Sequence, residues 1–183
     1  MRTAALTKTK WGIDPAHSEF GFKVKHLMIT YVKGVFRETD VIVFTEGDDF
    51  LTSEIEVRIN AGSVYTGDER RDQHLRSPDF FDVDNHKQIV FIGRKVERKK
   101  DNHFKLYGPL SIKGIAVQVQ LNVDYEGIMK DPWGIEKVGF TVTGEISRKD
   151  WELNWNAALE SGGVLVGDVI VIGCEIQLMK RND

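Results

Sequence analysis

Five histidines and a single cysteine are the side chains of this sequence best suited to hold a metal or attack a substrate. An open zinc site needs about three converging ligands. The sequence has no H-E-x-x-H string and no two histidines four residues apart. We therefore predict no metal site. The five histidines are His17, His26, His74, His86 and His103.

The cysteine is poorly placed for catalysis. Cys174 alternates with Ile172 and Ile176, which predicts a buried and unreactive thiol. No G-x-S-x-G, Walker or G-x-G-x-x-G string supplies a nucleophile or a phosphate loop instead. We predict that the protein is not an enzyme, and keep catalysis through His26 or His74 as the alternative.

Two sets of polar residues could contact a ligand. His26 shares its strand parity with Phe22 and Val24, which directs its ring inward. It is either a hydrogen-bonded core residue or a polar group at the mouth of a cavity. A mixed-charge cluster is either a structural network or, through Arg71 or Arg76, a bidentate site for an anionic lipid head. The cluster consists of Arg70, Arg71, Arg76, Asp68, Asp72 and Asp79.

The elements that must position these residues are β-strands, because apolar and polar residues alternate along most of the sequence. Ile55, Val57 and Ile59, for example, fall on one face and Glu54, Glu56 and Arg58 on the other. Eight strands are predicted, and short turns between several of them indicate antiparallel neighbours. Their approximate ranges are 11–26, 31–46, 52–61, 88–97, 102–112, 114–126, 135–147 and 164–179.

Two connections lack this alternation, and short helical segments are predicted in both, at 62–86 and 148–163. Pro109 lies inside an alternating run and cannot donate to the ladder, so a bulge or irregular pairing is expected there. Long strands with one apolar face suit a closed barrel, because closure removes exposed edges. The predicted fold class is all-β, an eight-stranded antiparallel barrel.

The bulk composition fits one globular domain of 183 residues, predicted at 11–183 after a tail at 1–10. A net charge of -3 gives no support for nucleic-acid binding. The first ten residues hold no apolar signal-peptide stretch, and no run approaches the roughly 18 apolar residues of a membrane helix. We expect a cytoplasmic protein, periplasmic only if a leader has been removed from this chain.

Aromatic residues occupy many inward positions of the predicted strands, for example Phe20, Phe22, Phe91 and Phe140. An eight-stranded barrel lies at the size where side chains can fill the interior or one small ligand can occupy it. The alternation alone leaves both a filled and a hollow barrel open.

Short strings are more specific than this pattern. In order they include WGIDPAHS at 11–18, VKGVF at 32–36, RDQHLRSPDFFD at 71–82, GPLSIKG at 108–114, DPWG at 131–134 and SRKDW at 147–151. From Trp11 to about Leu178 the chain resembles the YceI-like family of polyisoprenoid-binding proteins. It departs from the family pattern at strand ends and loops, at Lys87, Gln88, Ser111, Lys113 and Glu152.

The resemblance implies a lipocalin-like barrel whose pore holds a polyisoprenoid or quinone-type lipid without transforming it. It also implies a homodimer, a role in lipid storage, transport or stress response, no cofactor, and at most transient membrane contact. The alternatives are an enzyme acting on an isoprenoid-like substrate and a filled barrel that serves as a dimeric interaction module. The predicted ligand-binding residues are Phe20, Phe22, Val24, His26, Phe36, Arg71, His74, Phe80, Phe81, Phe91, Leu110, Ile112, Phe140, Trp151 and Trp155.

Overall fold

The computed structural model describes residues 7–182, most of which lie in β-strands. Within this range there is one α-helix, α1 (Glu69–Arg76), and 3-10 turns lie at Pro15–His17, Ala61–Ser63 and Arg148–Trp151. The strands are β1 (Lys8–Ile13), β2 (Glu19–His26), β3 (Thr30–Phe36), β4 (Thr39–Glu46), β5 (Asp49–Asn60), β6 (Val64–Tyr65), β7 (Gln88–Gly93), β8 (Lys95–Lys100), β9 (His103–Ile112), β10 (Ile115–Lys130), β11 (Glu136–Ser147) and β12 (Val166–Arg181).

The strands form a closed, eight-stranded antiparallel barrel, as predicted, if each interrupted strand is counted once. β1 with β2, β3 with β4, and β7 with β8 are three long strands, each broken at one point. β2 pairs with β3 and β1 with β4. β12 closes the ring, because it pairs with β2 along its first part and with β1 near its end.

The breaks in these three strands are where the predicted ranges 11–26, 31–46 and 88–97 need correction. The 3-10 turn that begins at Pro15 interrupts the first strand, since proline has no N–H to donate. At positions 37 and 38 the backbone bonds to the 60–63 segment, with Arg37 N donating to the Ser63 carbonyl. β1 begins at Lys8, so the predicted tail loses residues 8–10, and residues 1–6 lie outside the described range.

The irregular pairing expected at Pro109 is found on one side of β9. Against β10 the register is continuous through Pro109, which lies opposite Gln118. On the other side β9 changes partner, from β8 at Tyr107 to β7 at Leu110. Gly108 lies at this change, and a Cβ there would clash with the Ile92 carbonyl oxygen. Only glycine accommodates so close an approach of two strands.

Strand direction gives the barrel two different ends. The end that carries the β2–β3 hairpin, the 61–87 connection and the 148–165 connection is called the roof end. The closed end carries the short turns after β4, β8 and β10. The 61–87 connection contains α1, as predicted, whose first turn is capped by the Asp68 side chain accepting from Arg71 N.

The short helical segment predicted within 148–163 is confirmed as one 3-10 turn, Arg148–Trp151. A 3-10 turn ends at Trp151, and Glu152 adopts a left-handed conformation with φ 58°. The carbonyls of Leu153 and Trp155 then accept hydrogen bonds from the Arg148 side chain in place of the backbone hydrogen bonds of a helix. Leu153 is buried in the core, which fixes the segment as an extended roof over the barrel.

Candidate functional site

A cavity of about 630 Å³ occupies the barrel interior. Its wall consists of the inward side chains of alternating strand positions, such as Val41 and Val43 on β4 and Ile55, Val57 and Ile59 on β5. The interior is therefore hollow, which decides between the two barrels that the alternation left open. The volume lies within the range of about 300–1,000 Å³ typical of small-molecule sites.

The structure brings all the sequence-predicted binding residues to the wall of this one cavity: Phe20, Phe22, Val24, His26, Phe36, Arg71, His74, Phe80, Phe81, Phe91, Leu110, Ile112, Phe140, Trp151 and Trp155. Their contact with a ligand stays a prediction. The prediction omitted further apolar wall residues, including Leu121, Val142, Ile172 and Ile176. The alternation of β10, β11 and β12 contains the signal that would have found them.

The closed end is sealed by aromatic rings packed around Phe50. Its ring centroid lies 5.2 Å from that of Trp11, 5.2 Å from Phe140 and 6.0 Å from Tyr125. Trp11 is fully buried, and its Nε1 donates to Thr45 Oγ1 at 3.0 Å. These tilted and edge-on contacts are the arrangements that aromatic pairs favour, so packed aromatic rings form an apolar floor for the cavity.

The roof end combines aromatic and polar groups. Trp151 is 1% exposed, and its Nε1 donates to the Leu110 carbonyl at 2.8 Å, which fastens the roof to β9. His74 on α1 contacts Trp155 edge-on at 4.5 Å and Phe80 at 5.1 Å. Its Nε2 lies 2.8 Å from Asp79 Oδ2. This interaction orients a histidine that lines the cavity at its mouth.

The mixed-charge cluster is mainly structural. Arg71 donates from Nε to Thr66 Oγ1 at 2.7 Å and from Nη2 to the Thr66 carbonyl at 3.0 Å. The buried Asp72 accepts from the Thr66 amide at 2.9 Å. Arg76 donates to the carbonyls of Gly62 and Val64. Arg71 still lines the cavity, but two of its donors are already engaged by the protein.

Arg148 is a site residue that the sequence reasoning missed. It is 3% exposed and donates to the carbonyls of Leu153, Trp155, Val166 and Gly167. Asp168 Oδ1 lies 3.6 Å from its Nη2. Burial lowers the pKa of Arg148, and Asp168 opposes that shift. The SRKDW string at 147–151 contained this residue, but its sequence pattern did not indicate its partners.

His26 lines the cavity where β2 ends at the roof. Within residues 7–182 its ring makes no hydrogen bond, so both ring nitrogens remain available to a ligand. Cys174 is buried, as predicted, and burial raises its thiol pKa to about 11, which disfavours the thiolate. No three His, Cys, Asp or Glu side chains of the described residues converge as metal ligands.

The fold and this cavity define a class of protein: a hollow antiparallel barrel with an aromatic floor and a roof that carries the polar groups. The family model for the YceI-like domain matches residues 11–178. This chain therefore belongs to the YceI-like domain family. None of the helices in the described range has the length and apolar character needed to cross a bilayer.

Three known proteins illustrate the similarity. The UPF0312 protein SAS2572 of Staphylococcus aureus (strain MSSA476) is 39% identical over 160 residues, covering 87% of this chain and 91% of that protein. The crystal structure of the Campylobacter jejuni YCEI protein matches all of both chains with a TM-score of 0.72 and 27% identity. A polyisoprenoid binding domain from Saccharophagus degradans shares the fold with a TM-score of 0.68 and 15% identity. The match covers 93% of this chain and 98% of that domain.

Proposed function

We propose that the protein binds one long apolar lipid, a polyisoprenoid or quinone-type molecule, in the barrel interior and stores or transports it without chemical change. The observation that carries the proposal is the continuous apolar wall of the 630 Å³ cavity, which runs from the Phe50 floor to the roof residues. The described polar wall residues are concentrated at the roof end, among them His26, His74 and Arg70. This layout suits a lipid whose tail lies deep and whose head lies near the mouth.

The energetics favour a binding protein of this design. Burial of each methylene is worth about 0.8 kcal/mol relative to water, so a chain of several isoprene units gains much by entering the cavity. A bilayer offers almost the same gain, and the protein therefore depends on shape and head-group contacts for retention. Tilted rings such as Phe22 and Phe36, 5.6 Å apart, can pack against a branched chain.

The family membership and the polyisoprenoid-binding domain of the same fold support an isoprenoid-type cargo. We extend the proposal to a homodimer with a role in lipid storage, transport or stress response. Light scattering of the purified protein tests the dimer independently of the cargo.

The test is gentle purification, native mass spectrometry and organic extraction of wild type and two variants. Phe22→Glu places a charge on the cavity wall, whereas Phe44→Glu places it beside Lys8 on a strand position that does not line the cavity. We expect about one isoprenoid per chain in wild type and Phe44→Glu, and at least tenfold less in folded Phe22→Glu. An empty wild type that also refuses added polyprenols and quinones would reject the proposal.

A further inference from the structure

The hairpin between β2 and β3 presents an apolar tip at the roof end. Leu27, Met28 and Ile29 join His26 to Thr30, and they are 37%, 53% and 79% exposed. The neighbouring Val164 is 37% exposed and Tyr31 42%. Single exposed apolar residues are ordinary, but three in succession on a projecting turn indicate a contact surface.

The backbone of this turn is unfavourable for the residues that occupy it. Leu27 and Met28 have φ values of 52° and 59°, in the left-handed region. A hairpin turn of this kind strongly favours asparagine and glycine, because a Cβ is strained there. Leucine and methionine are strained at these positions and remain partly exposed to solvent. Such a departure from local preference marks a functional element.

Three lysines lie beneath the tip on the outer face of the same hairpin, Lys23 and Lys25 on β2 and Lys33 on β3. The Nζ atoms of Lys23 and Lys25 lie 4.7 and 4.6 Å from the centroid of the Tyr31 ring. In the part of the chain that the structure describes, no ion pair joins these lysines to a carboxylate. They form a local basic surface on a chain whose net charge is -3.

The tip borders the mouth of the cavity. His26 and Leu165 line the cavity, and the Leu27 amide donates to the Leu165 carbonyl at 2.9 Å. The exposed turn therefore lies directly beside residues of the cavity wall.

We propose that Leu27–Ile29 docks the roof end of the barrel onto an anionic bilayer, with Lys23, Lys25 and Lys33 contacting lipid phosphates. Apolar side chains that enter the acyl region, flanked by lysines at the head-group level, form the ordinary pattern of interfacial binding. The docked orientation holds the cavity mouth against the bilayer, so that a lipid passes between the two without crossing water. The passage of cargo rests on the proposed function, whereas docking alone does not.

The test is flotation of lipid-stripped protein with vesicles of phosphatidylcholine and phosphatidylglycerol in about a three-to-one ratio. Met28→Glu/Ile29→Glu places two charges on the tip. Met129→Glu/Ile135→Glu is the matched control at the closed end, where these residues are 75% and 41% exposed. We expect wild type and control to float equally and the tip variant to bind about tenfold more weakly. Circular dichroism checks that all three are folded.

A second variant isolates the basic surface. Lys23→Gln/Lys25→Gln/Lys33→Gln is expected to weaken binding about tenfold at low salt. Raising NaCl from about 0.1 M to about 1 M should weaken wild-type binding in the same way, since the Debye length falls from about 10 Å to about 3 Å.

Three results would overturn the docking proposal: wild type that fails to float, equal losses in the tip and closed-end variants, or a tip variant that alters only the oligomeric mass in light scattering. The last result would make the tip a protein interface. Wild type that docks on vesicles but never carries an extractable lipid would reject the proposed function and leave the docking surface in place.

Discussion

Asp14 joins three strands at the point where β1 ends. Its Oδ2 accepts from Lys137 Nζ on β11 at 2.9 Å and from Gln177 Nε2 on β12 at 3.0 Å, and it lies 3.0 Å from His17 Nδ1. The residue is 5% exposed. Burial alone would raise its pKa, but the hydrogen bonds from Lys137, His17 and Gln177 lower the pKa from 3.8 to about 2. The ionised carboxylate is therefore part of the folded structure.

We expect Asp14→Asn to lower the free energy of unfolding by about 1–2 kcal/mol at neutral pH. Because the folded pKa lies below the unfolded one, ionised Asp14 stabilises the fold above about pH 4, and this stabilisation is lost as pH falls through about 2. Urea unfolding at several pH values should show the gap between variant and wild type closing in that window. Asp124→Asn removes an exposed carboxylate beside His103 and serves as the control. A gap independent of pH would contradict this account.

At the scale of elements, the alternating pattern predicted most of the eight strands, because a period of two directly encodes one buried face. The short turns between strands predicted their antiparallel pairing. The alternating pattern could not locate the breaks. The alternation says nothing about the 60–63 segment that takes the hydrogen bonds of Arg37 and Glu38. Nor could the alternation predict the course of the segment after Trp151, because its backbone carbonyls accept from one buried side chain, that of Arg148.

The conformation of the roof segment depends on the Arg148 side chain. Arg148→Met keeps the length of the side chain but removes the Arg148 donors from four carbonyls. The Val166 carbonyl still accepts from Asn156 Nδ2 at 2.8 Å, whereas those of Leu153, Trp155 and Gly167 lose their side-chain donor. Each buried, unsatisfied acceptor is costly, so we expect a loss of about 3 kcal/mol in the free energy of unfolding. Hydrogen exchange should rise mainly in residues 152–168.

The neighbouring Lys149 provides the control, since its Nζ also lies near Asp168, at 3.4 Å, but is exposed. Lys149→Met should change stability by less than about 0.5 kcal/mol. Arg148→Lys cannot supply the planar fork of donors and is expected to behave like Arg148→Met. Equal, small effects at both positions would show that the roof is held by Trp151 and Leu153 alone.

At the scale of the whole molecule, strand parity correctly placed Phe22, His26 and Phe140 on one cavity wall. Parity could not predict the volume they enclose, because that depends on strand tilt and stagger around the closed ring. Nor could it show that Phe50 seals the closed end, since Phe50 lies at the start of β5 beside the Gly47 turn. The depth of the cavity emerges only when all eight strands close.

The depth of the cavity should limit the chain length of the lipid that the protein binds. Val142 on β11 and Ile172 on β12 line the cavity between the roof and the Phe50 floor, with Ile176 and Leu178 further along β12 towards the closed end. Val142→Trp/Ile172→Trp would divide the empty space without adding charge. Thr143→Trp/Val171→Trp places the same residues one position along each strand, on the outer face, and is the matched control.

We expect the inner double variant to bind prenols of about two isoprene units nearly as well as wild type, and longer prenols at least tenfold more weakly. The longer chains lose burial worth about 0.8 kcal/mol for each methylene kept out of the closed end. Fluorescence titration over a series of prenol lengths measures this dependence, and the outer variant should follow wild type throughout. Equal weakening of the binding of prenols of every length by the inner variant would contradict this prediction. The cargo would then not extend past Val142 and Ile172 towards Phe50, and the roof alone would hold it.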